Sequence, residues 1–436
     1  MTGLLLVAAA LTVQADTTRL TLEGALERAR SASPSVLAAK AQSAAADARV
    51  WNATRAFLPS TRVELQSMRT TDPVGVFGLK LRQERFAAED LSLDALNRPD
   101  AIGGHSTTLG VELPLMAPEG WFGFQAARSA ADAQRAGTRR TASAVAFGVT
   151  QLYWGAQWAA HAVAALDTAL TAARAHAAQA EAMERQGLTT GLDARLARIA
   201  SREIEIRLAQ AEVERDVALS TLATQLGLPA DAALALSDPL TAGTPGLCTE
   251  DASCDLEGRG DLQAMRAGAD AARLAERSAW WAQLPQVMGF AQLAHHSGDA
   301  PWAGGSGDWT VGLGLRWNVF PGLSGVGAVR EANAQRRAVD AQLEQAQLAA
   351  ETEVRAAAQR LALAERALDL ATEAEAEART ALDQARLRYR TGVAPITELL
   401  DVQATATETS LSLWTARRDL LVARAALDFA YGVHDR

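Results

Sequence analysis

The stretch TVGLGLRWNVFPGL, from Thr310 to Leu323, alternates apolar residues with polar residues or glycine. A period of two predicts a β-strand whose two faces meet different surroundings, and the pattern stops at Pro321. The chain around this stretch is rich in alanine and arginine and follows a helical period. On the apolar face of the strand we expect Val311, Leu313, Leu315, Trp317 and Val319.

The same alternation predicts four strands per chain, at about 60–68, 107–115, 285–294 and 309–320. Strands of about ten residues with one apolar and one polar face suit a bilayer-spanning barrel, and a half-buried sheet in water shows the same pattern. Because a closed barrel needs about eight strands, a barrel would require several copies of this chain.

The sequence contains a tandem duplication. LGVELPL at Leu109–Leu115 corresponds to LGLRWNV at Leu313–Val319, and the glycine of RQG corresponds to that of YRTG. The first repeat also holds an enlarged loop between its two strands. The predicted organisation is a first structural repeat over 16–229, an inter-repeat linker over 230–258 and a second structural repeat over 259–436.

Proline and glycine positions divide each repeat. No proline interrupts 119–228 or 322–394, so both segments can form very long helices. Glycine-containing breaks near 187–191 and 392–395 turn each segment into a helical hairpin, and a seven-residue spacing of leucine and alanine indicates coiled-coil packing. We expect the strand–helix junctions at Pro59, Pro114, Pro285 and Pro321.

The N-terminal run from Leu4 to Val13 is apolar and leads into a small-x-small sequence. It predicts a secretory signal peptide over residues 1–15, with an ordinary buried segment as the alternative. Cys248 and Cys254 are the two cysteines of the chain. In an oxidising compartment we expect a disulfide between them in preference to zinc binding.

Composition and motifs exclude several classes of protein. The net charge of −9, with carboxylates interspersed among the basic residues, argues against nucleic acid as a partner. The sequence lacks the G-x-S-x-G, H-E-x-x-H and P-loop motifs, so we predict no enzyme activity, no cofactor and no metal site. The expected fold is mostly α with a small membrane β part, built from tandem-duplicated long helical hairpins plus four β-strands per chain.

An ordered set of segments resembles the TolC family of outer-membrane efflux proteins: LTLEGALERARSASPSVLAAKAQ, LPSTRVEL, RQGLTTGLDARLAR and YRTGVAPITELLDVQATATETSLSLWTARRDLLVARAALDFAYG. The resemblance implies a homotrimer with a twelve-stranded β-barrel in outer-membrane lipid, continuous with a twelve-helix tunnel in the periplasm. It also implies a passive exit duct for efflux or type I secretion. Its partners would be a periplasmic membrane-fusion adaptor and an inner-membrane pump that supplies the energy.

The resemblance further implies a periplasmic gate near the hairpin breaks. Glu398 and Asp401 match a ring of acidic residues at the constriction, and Asp193 and Tyr389 match a bonding network that holds the entrance shut. An arginine of that network is replaced here by Ala394, which leaves Arg198 and Arg390 as substitute partners. The hairpin tips expected to contact the adaptor are Gly187, Leu188, Thr189, Gly191, Gly392, Val393, Ala394 and Pro395.

The same residues also have ordinary structural explanations. Glu398 and Asp401 also suit solvated positions at the positive start of a helix, and the breaks must be hairpin turns in any case. For the whole chain, the alternative function is a soluble periplasmic coiled-coil adaptor, which would share the hairpins but lack four bilayer-length strands. The enlarged loop is expected on the cell surface or folded over the mouth of the barrel.

Overall fold

The computed structural model of the chain describes residues 18–241, 255–302 and 304–435. The predicted signal peptide and both cysteines lie outside the described residues. The signal peptide and the disulfide therefore stay predictions. The chain forms two compact units. The first unit comprises Met1–Gln42, Arg135–Ala264 and Glu344–Arg436, and the second comprises Ser43–Gln134 and Met265–Leu343.

The secondary structure is mainly helical, as predicted. The helices are α1 (Leu22–Ala32), α2 (Pro34–Ala53), α3 (Pro73–Arg82), α4 (Leu93–Asn97), α5 (Pro118–Arg185), α6 (Gly191–Gln225), α7 (Gly260–Trp281), α8 (Ser324–Arg390) and α9 (Ile396–Tyr431). The strands are β1 (Thr18–Leu20), β2 (Ser60–Thr70), β3 (Ile102–Met116), β4 (Leu234–Leu236), β5 (Gln286–Ser297) and β6 (Ser306–Arg316). Across the described ranges, no helix is both long and apolar enough to cross a bilayer.

The two longest helices, α5 and α8, have 68 and 67 residues. Neither contains a proline after its first turn, which removes the strongest barrier to helix propagation. In the first unit, Ala350, Ala357 and Ala364 of α8 are buried at the seven-residue spacing seen in the sequence. Ala357 packs against Leu427 of α9 and Ala364 against Leu420, so small residues there let two helices approach closely.

The core of the first unit surrounds Tyr153 of α5, which is completely buried together with Leu222 of α6. The Tyr153 hydroxyl lies 3.0 Å from the Leu20 carbonyl oxygen and 2.9 Å from Asp238 Oδ2. Burial raises the pKa of Tyr153 to about 12, so the phenol stays protonated and can donate. This contact holds α5 beside the small parallel pair of β1 and β4.

In the second unit, four antiparallel strands form one sheet in the order β2-β3-β5-β6. Leu109 pairs with Val63 on one side and Leu293 on the other, and Leu293 pairs with Trp309. Since directly paired residues lie on the same face, most apolar positions of the four strands form one apolar face, whereas Met288 and Phe290 of β5 lie on the other. That second face otherwise carries mainly polar residues and glycines, which include Arg62, Glu64, Gln66, Glu112 and Gln292.

Several strand ends differ from the predicted ones, such as the start of β3 at Ile102 and of β6 at Ser306, and two differences have a clear structural reason. β6 ends at Arg316, so Trp317 and Val319 lie beyond the strand, and the Trp317 indole donates to the Gln283 carbonyl at 3.1 Å. The reason is that the partner strand β5 begins only after Pro285, which has no N–H to extend the ladder.

The second difference concerns Pro114, which lies inside β3 rather than at a strand–helix junction. Pairing of β3 with β2 stops at Glu112, so Pro114 occupies a stretch with a single neighbouring strand, where proline is tolerated. A register shift follows between Pro114 and Met116, and α5 begins at Pro118. Pro59 and Pro285 directly precede β2 and β5, and Pro321 lies between β6 and α8.

Candidate functional site at the helical hairpin tips

The two hairpin turns repeat one backbone pattern, in keeping with the duplicated sequence. Gly187 and Gly392 have φ of +72° and +75°, a left-handed conformation that favours glycine after a helix. The Gly187 N–H donates to the Glu184 carbonyl at 2.9 Å, and the Gly392 N–H donates to the Tyr389 carbonyl at 3.0 Å. Each glycine therefore ends a long helix and reverses the chain within a few residues.

The return helices begin differently. Thr190 caps α6 in a reciprocal capping box: its hydroxyl accepts from the Asp193 N–H, and its own N–H donates to Asp193 Oδ2 at 3.3 Å. Thr189 donates a further, short hydrogen bond to the same carboxylate. α9 begins after Pro395 without a side-chain cap. The spacing of Thr190 and Asp193 in TTGLD is the sequence signal for this box.

A small apolar core binds the two hairpins together just behind the tips. Ala180, Ala194 and Ala197 are fully buried there and pack against Tyr389 and Leu399. Alanines at these positions allow the four helices to converge closely, because any larger side chain would fill the space between them. The structure thus brings Asp193 and Tyr389 to the same packed end of the helices.

Asp193 and Tyr389 interact electrostatically but without a hydrogen bond. Tyr389 is only 4% exposed, and its hydroxyl has no hydrogen-bond partner among the described residues. Burial raises the pKa of Tyr389, and the nearby charge of Asp193 raises it further. The hydrogen bond from Thr189, followed by the backbone bond of Thr190, lowers the pKa of Asp193. The Asp193 carboxylate is therefore satisfied by its own turn.

The other predicted gate residues are distributed around this core. Arg388 lies 3.2 Å from Glu398 across the second turn, an ion pair that the sequence analysis missed. The two residues flank the turn 391–395 almost symmetrically, and this hairpin spacing is the signal that could have identified the pair. Asp401 is exposed at the start of α9, and Arg198 pairs with Glu181 at 3.5 Å.

Ala394 and Arg390, also expected near the gate, lie in contrasting surroundings. Ala394 is buried at the second turn, whereas Arg390 is exposed at the end of α8. An arginine at position 394 would therefore have to displace packed side chains, so the alanine fits this tip sterically. At the first tip, Leu188 is exposed, and Val393 at the equivalent position of the second tip is exposed as well.

A groove lies further along the helices of the first unit. It has a volume of about 360 Å³ and lies between α5, α8 and α9. At one end His161 stacks on Trp414 at 3.8 Å, and burial, reinforced by Arg417, lowers the pKa of His161. Within the described part of the chain, no group of three or more His, Cys, Asp or Glu side chains is arranged to hold a metal ion.

We predict that Asp193→Ala lowers the free energy of unfolding by about 1 kcal/mol through loss of the capping box. The folded-state pKa of Asp193 is lowered, so its stabilising effect is present above the pKa of the unfolded chain and disappears as pH falls through the folded value. Thermal unfolding followed by circular dichroism at several pH values should show the two proteins converging in acid.

Tyr389→Phe is the companion variant, because it removes only a hydroxyl that has no partner within the described chain. We expect its unfolding temperature to equal or slightly exceed that of the wild type. A loss of stability in Tyr389→Phe as large as that in Asp193→Ala would contradict this assignment and indicate a hydrogen bond from another copy of the chain.

Residues 255–433 match the sequence profile of the family described as "Outer membrane efflux protein". A search of curated protein sequences gave no match.

Several solved structures share the fold. A membrane protein from Pseudomonas aeruginosa is 20% identical with a TM-score of 0.81, over 94% of this chain and 93% of that one. The outer membrane protein VceC from Vibrio cholerae is 18% identical with a TM-score of 0.78, over 94% and 96%. The Neisseria gonorrhoeae MtrE outer membrane channel, in its open state, is 17% identical with a TM-score of 0.78, over 94% and 88%.

Paired helical hairpins joined to a four-stranded antiparallel sheet define the chain as having the fold of outer-membrane channels. Residues 255–433 resemble the outer membrane efflux protein family in sequence, and this match together with the shared fold confirms the predicted resemblance to the TolC family. The predicted fold class is confirmed as well, with the long hairpins and the small β part in the expected places.

Proposed function

We propose that this chain forms a passive outer-membrane exit duct of a tripartite efflux system, with a helical tunnel in the periplasm. The observation that carries the proposal is the apolar face of the four-stranded sheet. Val63, Val311, Leu313 and Leu315 on that face are all largely exposed in the single chain. A continuous exposed apolar surface of this kind suits contact with lipid.

The opposite face of the sheet suits water. Arg62, Glu64 and Gln66 of β2 alternate with the apolar residues, and Glu112 of β3 lies on the same polar side. Charged residues on the inner side of a membrane barrel line a hydrated lumen, whereas on the lipid side they are costly. The sheet therefore supports a wall between lipid and a water-filled pore.

The sheet edges support assembly into a homotrimer. β2 and β6 each have one strand neighbour within the described sheet, so each presents an open edge. Pairing of β2 in one copy with β6 in the next would satisfy both edges, and three copies would supply the twelve strands of a closed barrel. A soluble coiled-coil adaptor is not favoured, because it would have no use for four strands of 11–15 residues.

The hairpin tips support contact with a periplasmic adaptor that links the duct to an inner-membrane pump. Leu188 and Val393 occupy equivalent positions of the two turns and are both exposed. Exposed apolar residues at the tip of a helical hairpin suit a protein partner. The proposed duct performs no catalytic step, since it is a passive path and the inner-membrane pump supplies the energy for transport.

Detergent extraction followed by planar-bilayer recording tests the proposed function. The purified chain is expected to require detergent, to migrate on SDS gels as a heat-sensitive trimer and to conduct ions in discrete steps. Full solubility without detergent, together with an absence of conductance, would contradict the proposed duct. A soluble periplasmic adaptor would then be the better explanation.

We predict that neutralising the acidic pair with Glu398→Gln and Asp401→Asn lowers the cation preference of the open channel by about ten-fold. Asp401 is exposed, whereas Glu398 is partly compensated by Arg388 at 3.2 Å. Asp401→Asn alone should therefore have the larger single effect. The measurement is the reversal potential in a salt gradient across a planar bilayer.

Arg388→Gln provides a control of opposite sign, because it frees the Glu398 carboxylate and should increase the preference for cations. If neither the acidic double variant nor Arg388→Gln moves the reversal potential, these carboxylates do not line the constriction. They would then be ordinary residues of a helix start.

A further inference from the structure

The enlarged loop between β2 and β3, residues 71–101, is a folded element, called here the mouth insertion. It contains α3, a short helical turn and α4. The Lys80 ammonium lies 2.6 Å from the Asp90 carboxylate, and the rings of Phe77 and Phe86 meet edge to face at 4.9 Å. The insertion therefore has a fixed internal structure rather than the extended form of an open loop.

Strand alternation shows which face of the sheet the insertion covers. The pairing of β3 with β2 is regular from Ile102 to Glu112, so Gly104 lies on the same face as Gly110 and Glu112. A Cβ placed on Gly104 would come within 2.8 Å of Gln83 Nε2 and 2.9 Å of a Leu79 methyl group. The insertion thus packs on the polar face of the sheet.

Further contacts hold the insertion there. Gln83, only 5% exposed, donates from Nε2 to the Gly103 carbonyl at 3.1 Å. The Ser306 hydroxyl at the start of β6 donates to the Arg82 carbonyl. These contacts lie at the strand ends opposite those that lead into α5 and α8. The insertion consequently reaches from β3 to β6 across the polar side of the outer strand ends.

The insertion also exposes several apolar side chains among its charged ones. Val74 and Leu81 of α3 are exposed, and so are Leu91 and Leu93 near α4. On the lipid-facing side such residues would need no explanation, but here they stand on the side that would face water. In a closed barrel the polar faces of all copies converge on one axis, which brings each insertion towards its equivalents.

We propose that the mouth insertion is an inward-folded lid that narrows the outer opening of the pore and contacts the same insertion in the neighbouring copies. The occupant of its exposed apolar surface is therefore a second copy of this chain. This inference rests on the proposed function, because it takes the polar face of the sheet as the lumen. Three such lids would give the duct an outer constriction in addition to any gate at the hairpin tips.

Gly104→Leu tests the lid by wedging α3 off the polar face. The leucine would occupy the space of Leu79 and Gln83, and we expect single-channel conductance to rise about two-fold. Gly110→Leu is the matched control, because it lies on the same strand and face but has nothing within 4 Å of its added Cβ. Its conductance should not exceed that of the wild type.

Ser306→Ala gives a second route should Gly104→Leu fail to assemble, because it removes only the hydrogen bond to Arg82. It should also raise conductance. Contact between copies is tested with Leu81→Cys in a Cys248→Ser, Cys254→Ser background, where oxidation should produce a reducible dimer on SDS gels. Leu65→Cys on the lipid-facing side should not cross-link.

The outcomes separate this inference from the proposed function. Channels that form with unchanged conductance in Gly104→Leu and Ser306→Ala, with no cross-link at Leu81, would overturn the lid while leaving the duct intact. A wild-type chain that neither trimerises nor conducts would overturn the duct itself.

Discussion

Arg259→Ala is expected to lower the free energy of unfolding by about 2–3 kcal/mol, because it removes the buried arginine of a charge network whose two carboxylates are partly exposed. The Arg259 side chain is 5% exposed, and its Nε lies 2.8 Å from Asp261 Oδ1. The same guanidinium pairs with Glu353 and donates from Nη1 to the Ala430 carbonyl at 2.8 Å. Its loss would leave the Ala430 carbonyl without this donor and the two carboxylates with only the longer contacts to Arg140, at 3.7 and 3.9 Å.

The surrounding residues explain why water cannot easily replace that guanidinium. Arg140 stacks over the Phe429 ring at 3.7 Å, and Asp435 is buried with its carboxylate accepting from the Gly260 N–H at 2.7 Å. The network therefore joins the start of α7 to the last residues of the chain. Arg259→Lys should fall between wild type and alanine, since it keeps the charge but loses the planar fork.

Thermal unfolding in detergent, followed by far-UV circular dichroism, measures the effect. Arg202→Ala is the control: it also breaks an arginine–glutamate pair, at 2.7 Å, but the arginine side chain is 78% exposed. It should change stability by no more than about 0.5 kcal/mol. Equal unfolding temperatures for Arg259→Ala and Arg202→Ala would show that the network adds little to stability.

Local rules were sufficient for most of the fold. Proline-free segments predicted the long helices, and the left-handed glycines Gly187 and Gly392 mark the turns that the sequence indicated. Period-two alternation predicted the four strands of the sheet, because successive side chains of a strand point to opposite faces and only this period gives one apolar face. The seven-residue spacing of alanine predicted coiled-coil packing, and Ala350, Ala357 and Ala364 of α8 are buried at that spacing.

Features that depend on distant partners were beyond sequence reasoning. Glu353 and Ala430 lie 94 and 171 positions from Arg259, and no local pattern connects them. The strand that contains TVGLGLR was predicted to continue to Phe320, but it ends at Arg316, opposite the first residue of β5 after Pro285. The mouth insertion was expected as a surface loop or a fold over the mouth, and only the contacts of Gly104 decide its face.

The candidate gate also combines features that are local in the sequence with features that depend on how the chain folds. The Thr190–Asp193 capping box is local and could be found from its spacing, whereas the Arg388–Glu398 pair requires knowledge of how the hairpin closes. The resemblance supplied Asp193 and Tyr389 as a pair, and their positions at one packed end, with Tyr389 buried and Asp193 partly exposed, agree with a shared location. Their role in closing an entrance remains a proposal, because it depends on contacts between copies.

Leu313→Arg is expected to destabilise the membrane-inserted barrel by about 2–4 kcal/mol for each copy. Leu313 lies in β6, pairs with Gly289 and has 74% of its surface exposed on the apolar face. A guanidinium at that position would face hydrocarbon, where it has no hydrogen-bond partners unless it reaches the interface. The expected result is loss of the heat-sensitive trimer from outer-membrane fractions.

Gly314→Arg is the control one residue along the same strand. It lies on the polar face, nothing lies within 4 Å of its added Cβ, and the new charge would enter a hydrated lumen. It should assemble normally and alter only conductance or ion preference, because the side chain partly fills the pore. Assembly that fails in Gly314→Arg but survives in Leu313→Arg would reverse the two faces of the sheet, and with them the placement of both pore and lid.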